Sequence, residues 1–189
     1  MKTIITAILL IMISDNATAG GFSVFDTSGK PGLTVTGDYL QLAIPVSAAI
    51  YSAIIGDGQG NRQLAKAYAA TMATAYTLKY TVREERPDQP EGAKGNTFPS
   101  GHTSAAFAGA GYWQMRYGWT VGAPMYIAAS LVAYSRVEAR AHNWLDVITA
   151  SGIGIGFNLL FTERYNSDTV KVSLSPIPNG LYLSGNLKF

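Results

Sequence analysis

Apolar residues gather into five helix-length stretches separated by short polar segments, and that alternation predicts a helical bundle. Tyr39 to Ile55 is almost wholly apolar and stops at Gly56-Asp57-Gly58, so a first core helix ends there, with a bend expected at Pro45. Over residues 61–82, Leu64, Tyr68, Met72, Ala75 and Leu78 recur every three or four positions, which predicts a second helix with Lys79 in its last turn. Residues 83–97 are polar and hold Pro87, Pro90, Gly92 and Gly95, so they predict an irregular loop. A third helix is expected from Pro99-Ser100 to Tyr117 and a fourth from Pro124 to Ser135. The polar run 137–141 leads into a fifth, expected from His142 to Phe161. Beyond residue 168 the period changes: Val170, Val172 and Leu174 alternate with polar residues, as do Leu181 and Leu183, which predicts a terminal hairpin around Pro176 to Gly180. The expected fold is therefore an all-α bundle of about five core helices over 38–165 with a short C-terminal β-hairpin over 166–189. No internal repeat interrupts it.

Ahead of the bundle, residues 20–37 are rich in Gly, Ser, Thr and Asp and predict an irregular arm that enters the domain near Asp38. Residues 1–19 have the pattern of an export signal: Lys2, an apolar core from Ile4 to Ile13, and the small-residue site Ala17-Thr18-Ala19. Export places the mature domain in a bacterial periplasm or cell envelope. The apolar stretches Leu40–Ile55 and Val147–Phe161 fall short of the roughly 20 residues of a comfortable membrane span. They favour core helices of an exported domain and leave peripheral or integral membrane contact open.

Composition narrows the function. With 189 residues there is room for one well-buried domain, and 14 Lys and Arg against 12 Asp and Glu give no field that would steer the chain onto nucleic acid. The absence of cysteine removes disulfides and thiolate metal sites. The chain has two histidines, and each stands where a core helix is expected to begin. A helix start suits an anion, because its first N–H groups lack intrahelical partners and the dipole is positive there. Ser100 fits an N-cap, Gly101 lets a ligand approach the backbone, and His102 follows directly. His142 and Asp146 have the spacing that lets a carboxylate orient an imidazole on one helix face. Alone, such a pair is more often a hydrogen-bonded interfacial histidine, and a single helix-end Lys or Arg is more often a solvated charge. Lys79, Arg86 and Arg136 shift that balance, since all three fall at helix ends or in a loop that meet if the helices run up and down. A tetrahedral oxyanion needs several such donors at once.

As a string, these residues resemble the three-part signature of the type 2 phosphatidic acid phosphatase superfamily, which includes class A acid phosphatases, lipid phosphatases and vanadium haloperoxidases. Lys79, six residues, Arg86-Pro87 is similar to the first part; Pro99-Ser100-Gly101-His102 to the second; Ser135-Arg136, five residues, His142, three residues, Asp146 to the third. The resemblance implies a helical phosphatase that works without metal or cofactor on a phosphate-bearing lipid or small molecule. It implies His142 as the nucleophile that becomes a phosphohistidine, Asp146 as its orienting group, and His102 as the proton donor to the leaving oxygen. It also implies that Lys79, Arg86, Arg136, Ser100 and the Gly101 backbone grip the phosphoryl oxygens. A phosphomonoesterase acting on a lipid or related envelope phosphate is the leading expectation. A broad-specificity soluble acid phosphatase, a vanadate-dependent haloperoxidase and a non-catalytic anion-binding envelope protein are the alternatives.

Overall fold

The computed structural model describes residues 29, 31–85, 87, 90, 95–166, 170–177 and 180–187. The expected export signal and Arg86 lie outside the described residues. Five helices follow in order: α1 Gly32–Ile54, α2 Gly58–Val82, α3 Gly101–Tyr117, α4 Trp119–Glu138 and α5 Trp144–Phe161. Two strands, β1 Val170–Ile177 and β2 Gly180–Leu187, then pair antiparallel with Val170 opposite Leu187. The hairpin expected from the alternating residues is present, and its strands run closer to the turn than the Pro-rich segment suggested.

α3 is the centre of the bundle. Every residue from Thr103 to Trp113 is buried, so this helix has no solvent face, and its Ala- and Gly-rich composition lets neighbours come close. A Cβ on Gly109 would stand 2.7 Å from the Pro45 nitrogen of α1, and one on Gly154 of α5 would stand 2.8 Å from the Ala108 nitrogen. Both crossings therefore depend on a missing side chain. Ile44, Leu64, Phe107, Tyr112, Val132 and Val147 fill the space that remains between helices.

Helix boundaries differ from expectation at several ends: α2 begins at Gly58 rather than residue 61, α4 runs on to Glu138 rather than Ser135, and the starts of α1, α4 and α5 also differ. α1 begins at Gly32 rather than near Tyr39, so the end of the expected irregular arm is helical. Its polar and small residues Thr34, Gly37 and Asp38 are buried, and a Cβ at Gly37 would collide with Ser135 of α4. Packing against α4 overrides the weak local preference of Gly and Thr. α4 begins at Trp119, one residue after Gly118, whose φ of 100° makes the single-residue corner from α3. Pro124 lies inside that helix, and the Thr120 position whose carbonyl it leaves unbonded is exposed. α5 begins at Trp144 with Asn143 as its cap, so His142 precedes the helix instead of opening it.

Among the described residues, buried charge gathers at the two poles of the bundle. At one pole Asp57 caps α2 by accepting from the Gly60 N–H at 2.8 Å, and takes a bidentate pair from Arg116 at 2.6 and 2.7 Å. The Tyr117 hydroxyl donates to the same carboxylate at 2.8 Å, and Arg116 also reaches the Glu163 carbonyl at 2.9 Å. Burial alone would raise the Asp57 pKa, but the bonds from Arg116, Gly60 and Tyr117 hold it below the usual carboxylate value. Between the poles, the exposed charged side chains on the helices are Arg62 and Lys66, both near the start of α2.

The two close crossings predict a stability pattern. Gly109→Ala and Gly154→Ala each lower the unfolding free energy by about 1–3 kcal/mol through overpacking. Gly152→Ala, on the same helix as Gly154 but with nothing within 4 Å of the new Cβ, leaves stability unchanged or slightly raised. Thermal unfolding of the three variants checks the pattern.

Candidate active site

The opposite pole collects the end of α2, the start of α3, the end of α4 and the segment before α5. The main chain sets the spacing first. The Ser100 N–H donates to the Asp146 carbonyl at 3.3 Å, which ties the start of α3 to the first turn of α5. The Ala141 and His142 N–H groups both donate to the Arg136 carbonyl, at 3.1 and 3.3 Å, so the chain leaving α4 folds back over its own end. Ser100 caps α3: its buried Oγ accepts from the Thr103 N–H at 3.4 Å and from the Thr103 hydroxyl at 3.0 Å. Nothing lies within 4 Å of where a Gly101 Cβ would stand, so the backbone beside the cap is open to a ligand.

His142 is 5 % exposed and Asp146 is fully buried, with His142 Nδ1 3.4 Å from Asp146 Oδ2. The contact expected from the spacing is present, although His142 lies outside the helix. Asp146 is the third helical residue, and its Oδ2 also accepts from the Asn143 N–H at 2.8 Å. The carboxylate thus caps the helix and faces the imidazole with one oxygen. With Nδ1 turned to Asp146, Nε2 is the ring nitrogen available for chemistry.

Arg136 is 3 % exposed and spans three partners. Its Nη1 donates to Asp38 Oδ1 at 2.9 Å, its Nη2 to the Thr34 carbonyl at 2.9 Å, and its Nε to Ser135 Oγ at 3.2 Å. Asp38, 1 % exposed, also lies 3.2 Å from His102 Nε2 through that same Oδ1. Burial pulls His102 down to about 4; the charges of Arg136 and His142 act in the same direction and Asp38 opposes them. His102 is therefore a neutral imidazole near neutral pH. Lys79 donates to the Asn96 carbonyl at 2.6 Å, and the Thr97 N–H donates to the Glu84 carbonyl at 3.0 Å, so the two ends of the loop over 83–97 are stitched together beside the end of α2.

The structure thus brings Ser100, Gly101, His102, Arg136, His142 and Asp146 to one pole, with Lys79 bound to the segment that leads into Ser100. Asp38 is the site residue that sequence reasoning passed over. Its signal was a lone carboxylate in an otherwise uncharged helix, Gly32–Ile54, which is rarely left unpaired. Chemically the pole offers a carboxylate-oriented imidazole, a second imidazole, a guanidinium and open helix-start N–H groups, a set suited to a tetrahedral oxyanion. Among the described residues no three His, Asp or Glu side chains group as ligands for a metal.

Comparison with known proteins points to a family. The family model described as the PAP2 superfamily matches residues 62–168. The chain is 34 % identical over 137 residues to a lipid A 4′-phosphatase of Helicobacter pylori, covering 68 % of this chain and 69 % of that protein. It is 37 % identical over 81 residues to a lipid A 1-phosphatase of Porphyromonas gingivalis, covering 41 % of this chain and 17 % of that protein. Among solved structures it resembles that of Aquifex aeolicus LpxE, with a TM-score of 0.58 and 22 % identity over 70 % of this chain and 87 % of the other, a likeness of fold.

The depressed His102 sets a direction for stability against pH. Its value in the fold, about 4, lies below the ordinary 6.5, so its contribution is fully present above 6.5 and is lost as pH falls from 6.5 toward 4. The loss reaches at most a few kcal/mol, at about 1.4 kcal/mol per unit. His102→Asn, which does not titrate, flattens the fall in melting temperature over that window, and thermal unfolding at a series of pH values measures it.

Proposed function

We propose that this chain, which belongs to the PAP2 superfamily, is a lipid phosphate phosphatase of the cell envelope that works through a phosphohistidine on His142. The observation that carries the reaction is the convergence of an Asp146-oriented His142 with His102 and Arg136 at one pole. Arg136, Lys79, Ser100 and the backbone at Gly101 hold the phosphoryl oxygens and stabilise their charge as the bond order changes. The signature adds Arg86, outside the described residues, to the same grip.

In the first step the lone pair on His142 Nε2 forms a bond to phosphorus as the bond from phosphorus to the leaving oxygen breaks. The electron pair of that bond goes to the oxygen, which takes a proton from His102. The dianion of the bound ester restores to His102 the proton affinity that burial removes, so the imidazole is charged when it is needed. Asp146 offsets the positive charge that develops on the His142 ring. In the second step water attacks phosphorus and gives a proton to His102, and the N–P electron pair returns to His142.

A lipid substrate is supported by the outer surface. α1, at 23 residues, and α5, at 18, are both long and apolar enough to cross a membrane, and only 28 % of the α5 window is buried in the bundle. At about 1.5 Å per residue α1 reaches beyond the roughly 30 Å of a hydrocarbon core. The outward residues between the poles are large and apolar, among them Ile50, Ile127, Leu131 and Ile148. At the site pole each outer helix presents one exposed aromatic ring: Tyr39, Tyr80, Tyr134 and Trp144. Rings at that level fit the pattern of a bilayer interface and support a site at the depth of lipid headgroups. The short apolar stretches Leu40–Ile55 and Val147–Phe161 favour a soluble exported domain; the helical turns over Gly32–Asp38 lengthen the first to 23 residues, and the second lies in a helix of 18. The names of the relatives make a lipid A phosphate the first substrate to try.

Two measurements test this reading. His142→Ala loses hydrolysis of a lipid A phosphate in detergent micelles by at least about three orders of magnitude, since a covalent nucleophile is removed. Wild-type activity in that variant would sink the phosphohistidine. The protein also stays with the membrane fraction through a high-salt wash and leaves it only in detergent; recovery in the soluble fraction would remove the bilayer from the picture.

A further inference from the structure

The geometry points to Asp38 as a positioning residue of the reaction: it is the charge that lets a protonated His102 stand beside Arg136 while both face the same phosphoryl group. The inference rests on the reading of His102 as proton donor given above. It concerns a residue outside the matched span 62–168 and outside the Lys79–Asp146 signature.

One oxygen carries the argument. Asp38 Oδ1 accepts from Arg136 Nη1 at 2.9 Å and lies 3.2 Å from His102 Nε2, so a single atom sets the spacing between guanidinium and imidazole. Asp38 is 1 % exposed, where its charge is little screened by water. The charged or titratable groups that face His102 are Asp38 from α1, Arg136 from α4 and His142 from the segment before α5, with Lys79 closing α2 at the same pole. Of those acting on His102, Arg136 and His142 disfavour its proton and Asp38 favours it. Without the carboxylate, protonating His102 would place a second cation next to Arg136 in a site that water scarcely reaches. With Nε2 turned to Asp38, Nδ1 is the nitrogen that serves the leaving oxygen. Asp38 touches neither substrate nor reacting atoms and acts through the two side chains it holds.

A proton donor matters most when the leaving oxygen is a poor leaving group, so the test compares two esters in detergent micelles: dodecyl phosphate, which leaves as an alkoxide, and 4-nitrophenyl phosphate, which leaves as a stabilised phenolate. Asp38→Asn keeps the shape and an acceptor oxygen but removes the charge. The expected result is a fall in kcat/KM of about 10–100-fold for the alkyl ester against less than about 3-fold for the aryl ester. The high-pH limb of the alkyl profile moves to lower pH, because loss of the anion makes His102 release its proton earlier. His102→Ala is run alongside and shows the same selectivity more strongly. If His102→Ala discriminates and Asp38→Asn loses both esters alike with an unmoved profile, the proposal is overturned and the role of His102 stands. If His102→Ala itself loses both esters equally, the proton-donor reading falls and takes the proposal with it. Should Asp38→Asn fail to fold, Asp38→Glu replaces it: the charge still reaches Arg136 but is displaced from His102, and the same selective loss is expected, with an equal loss on both esters again overturning the role.

Discussion

Arg136 sits 3 % exposed at the end of α4, and an ionised guanidinium there is tolerable only with a carboxylate at hydrogen-bond distance, since an unpaired buried charge costs several kcal/mol. Asp38 meets that requirement from the opposite end of the sequence, 98 positions earlier. The pairing pulls the first turns of α1 against α4 so closely that only Gly fits at position 37, and it turns the Thr34 carbonyl onto the same guanidinium. Because His102 at the start of α3 meets the same Asp38 oxygen, one buried pair aligns three helices at one pole.

The two poles meet the cost of buried charge in different ways. Around Asp57 the groups are matched: the carboxylate takes a backbone N–H, two guanidinium donors and a tyrosine hydroxyl, and Arg116 spends its remaining reach on Gln63 and the Glu163 carbonyl. Such a closed network joins the start of α2, the end of α3 and the chain beyond α5, and it asks for no ligand. At the site pole Arg136, Lys79 and two imidazoles gather with Asp38, Asp146 and the donor-rich starts of two helices. That mixture of cationic side chains, imidazoles and helix-start N–H groups is suited to a tetrahedral oxyanion. The Ala- and Gly-rich α3, without charge between His102 and Arg116, separates the poles, and close helix crossings at Gly109 and Gly154 keep their spacing rigid.

How far the sequence could be read follows from these contacts. The long periodic stretches gave the number and order of the helices, because burial of an apolar face is written at every third or fourth residue. The beginning of α1 was illegible for the opposite reason: Gly32 to Asp38 is polar and small, and its helix exists through contacts with Ser135 and Arg136 far along the chain. The start of α4 was hidden by Pro124, which ordinarily marks a first turn but here lies inside the helix. Those signature residues that the structure describes lie together at the pole. Asp38 belongs to no local pattern, and what could have drawn attention to it was a single carboxylate on a helix otherwise free of charge.

The His142–Asp146 pair shows why a correct contact can follow from an incorrect helix boundary. The spacing argument placed both residues on one face of a helix, yet the helix begins at Trp144 and His142 lies before its cap. The contact persists because a carboxylate at the third helical position points back toward the cap, where it accepts the Asn143 N–H. A residue just before the cap, on a chain already folded over the Arg136 carbonyl, then falls within reach of the same oxygen. The two duties of Asp146 reinforce each other: the cap bond fixes the carboxylate in the rotamer that meets the imidazole. The orientation of His142 is thus anchored in the helix start itself, and an imidazole outside regular structure is held by the first turn of the helix that follows it.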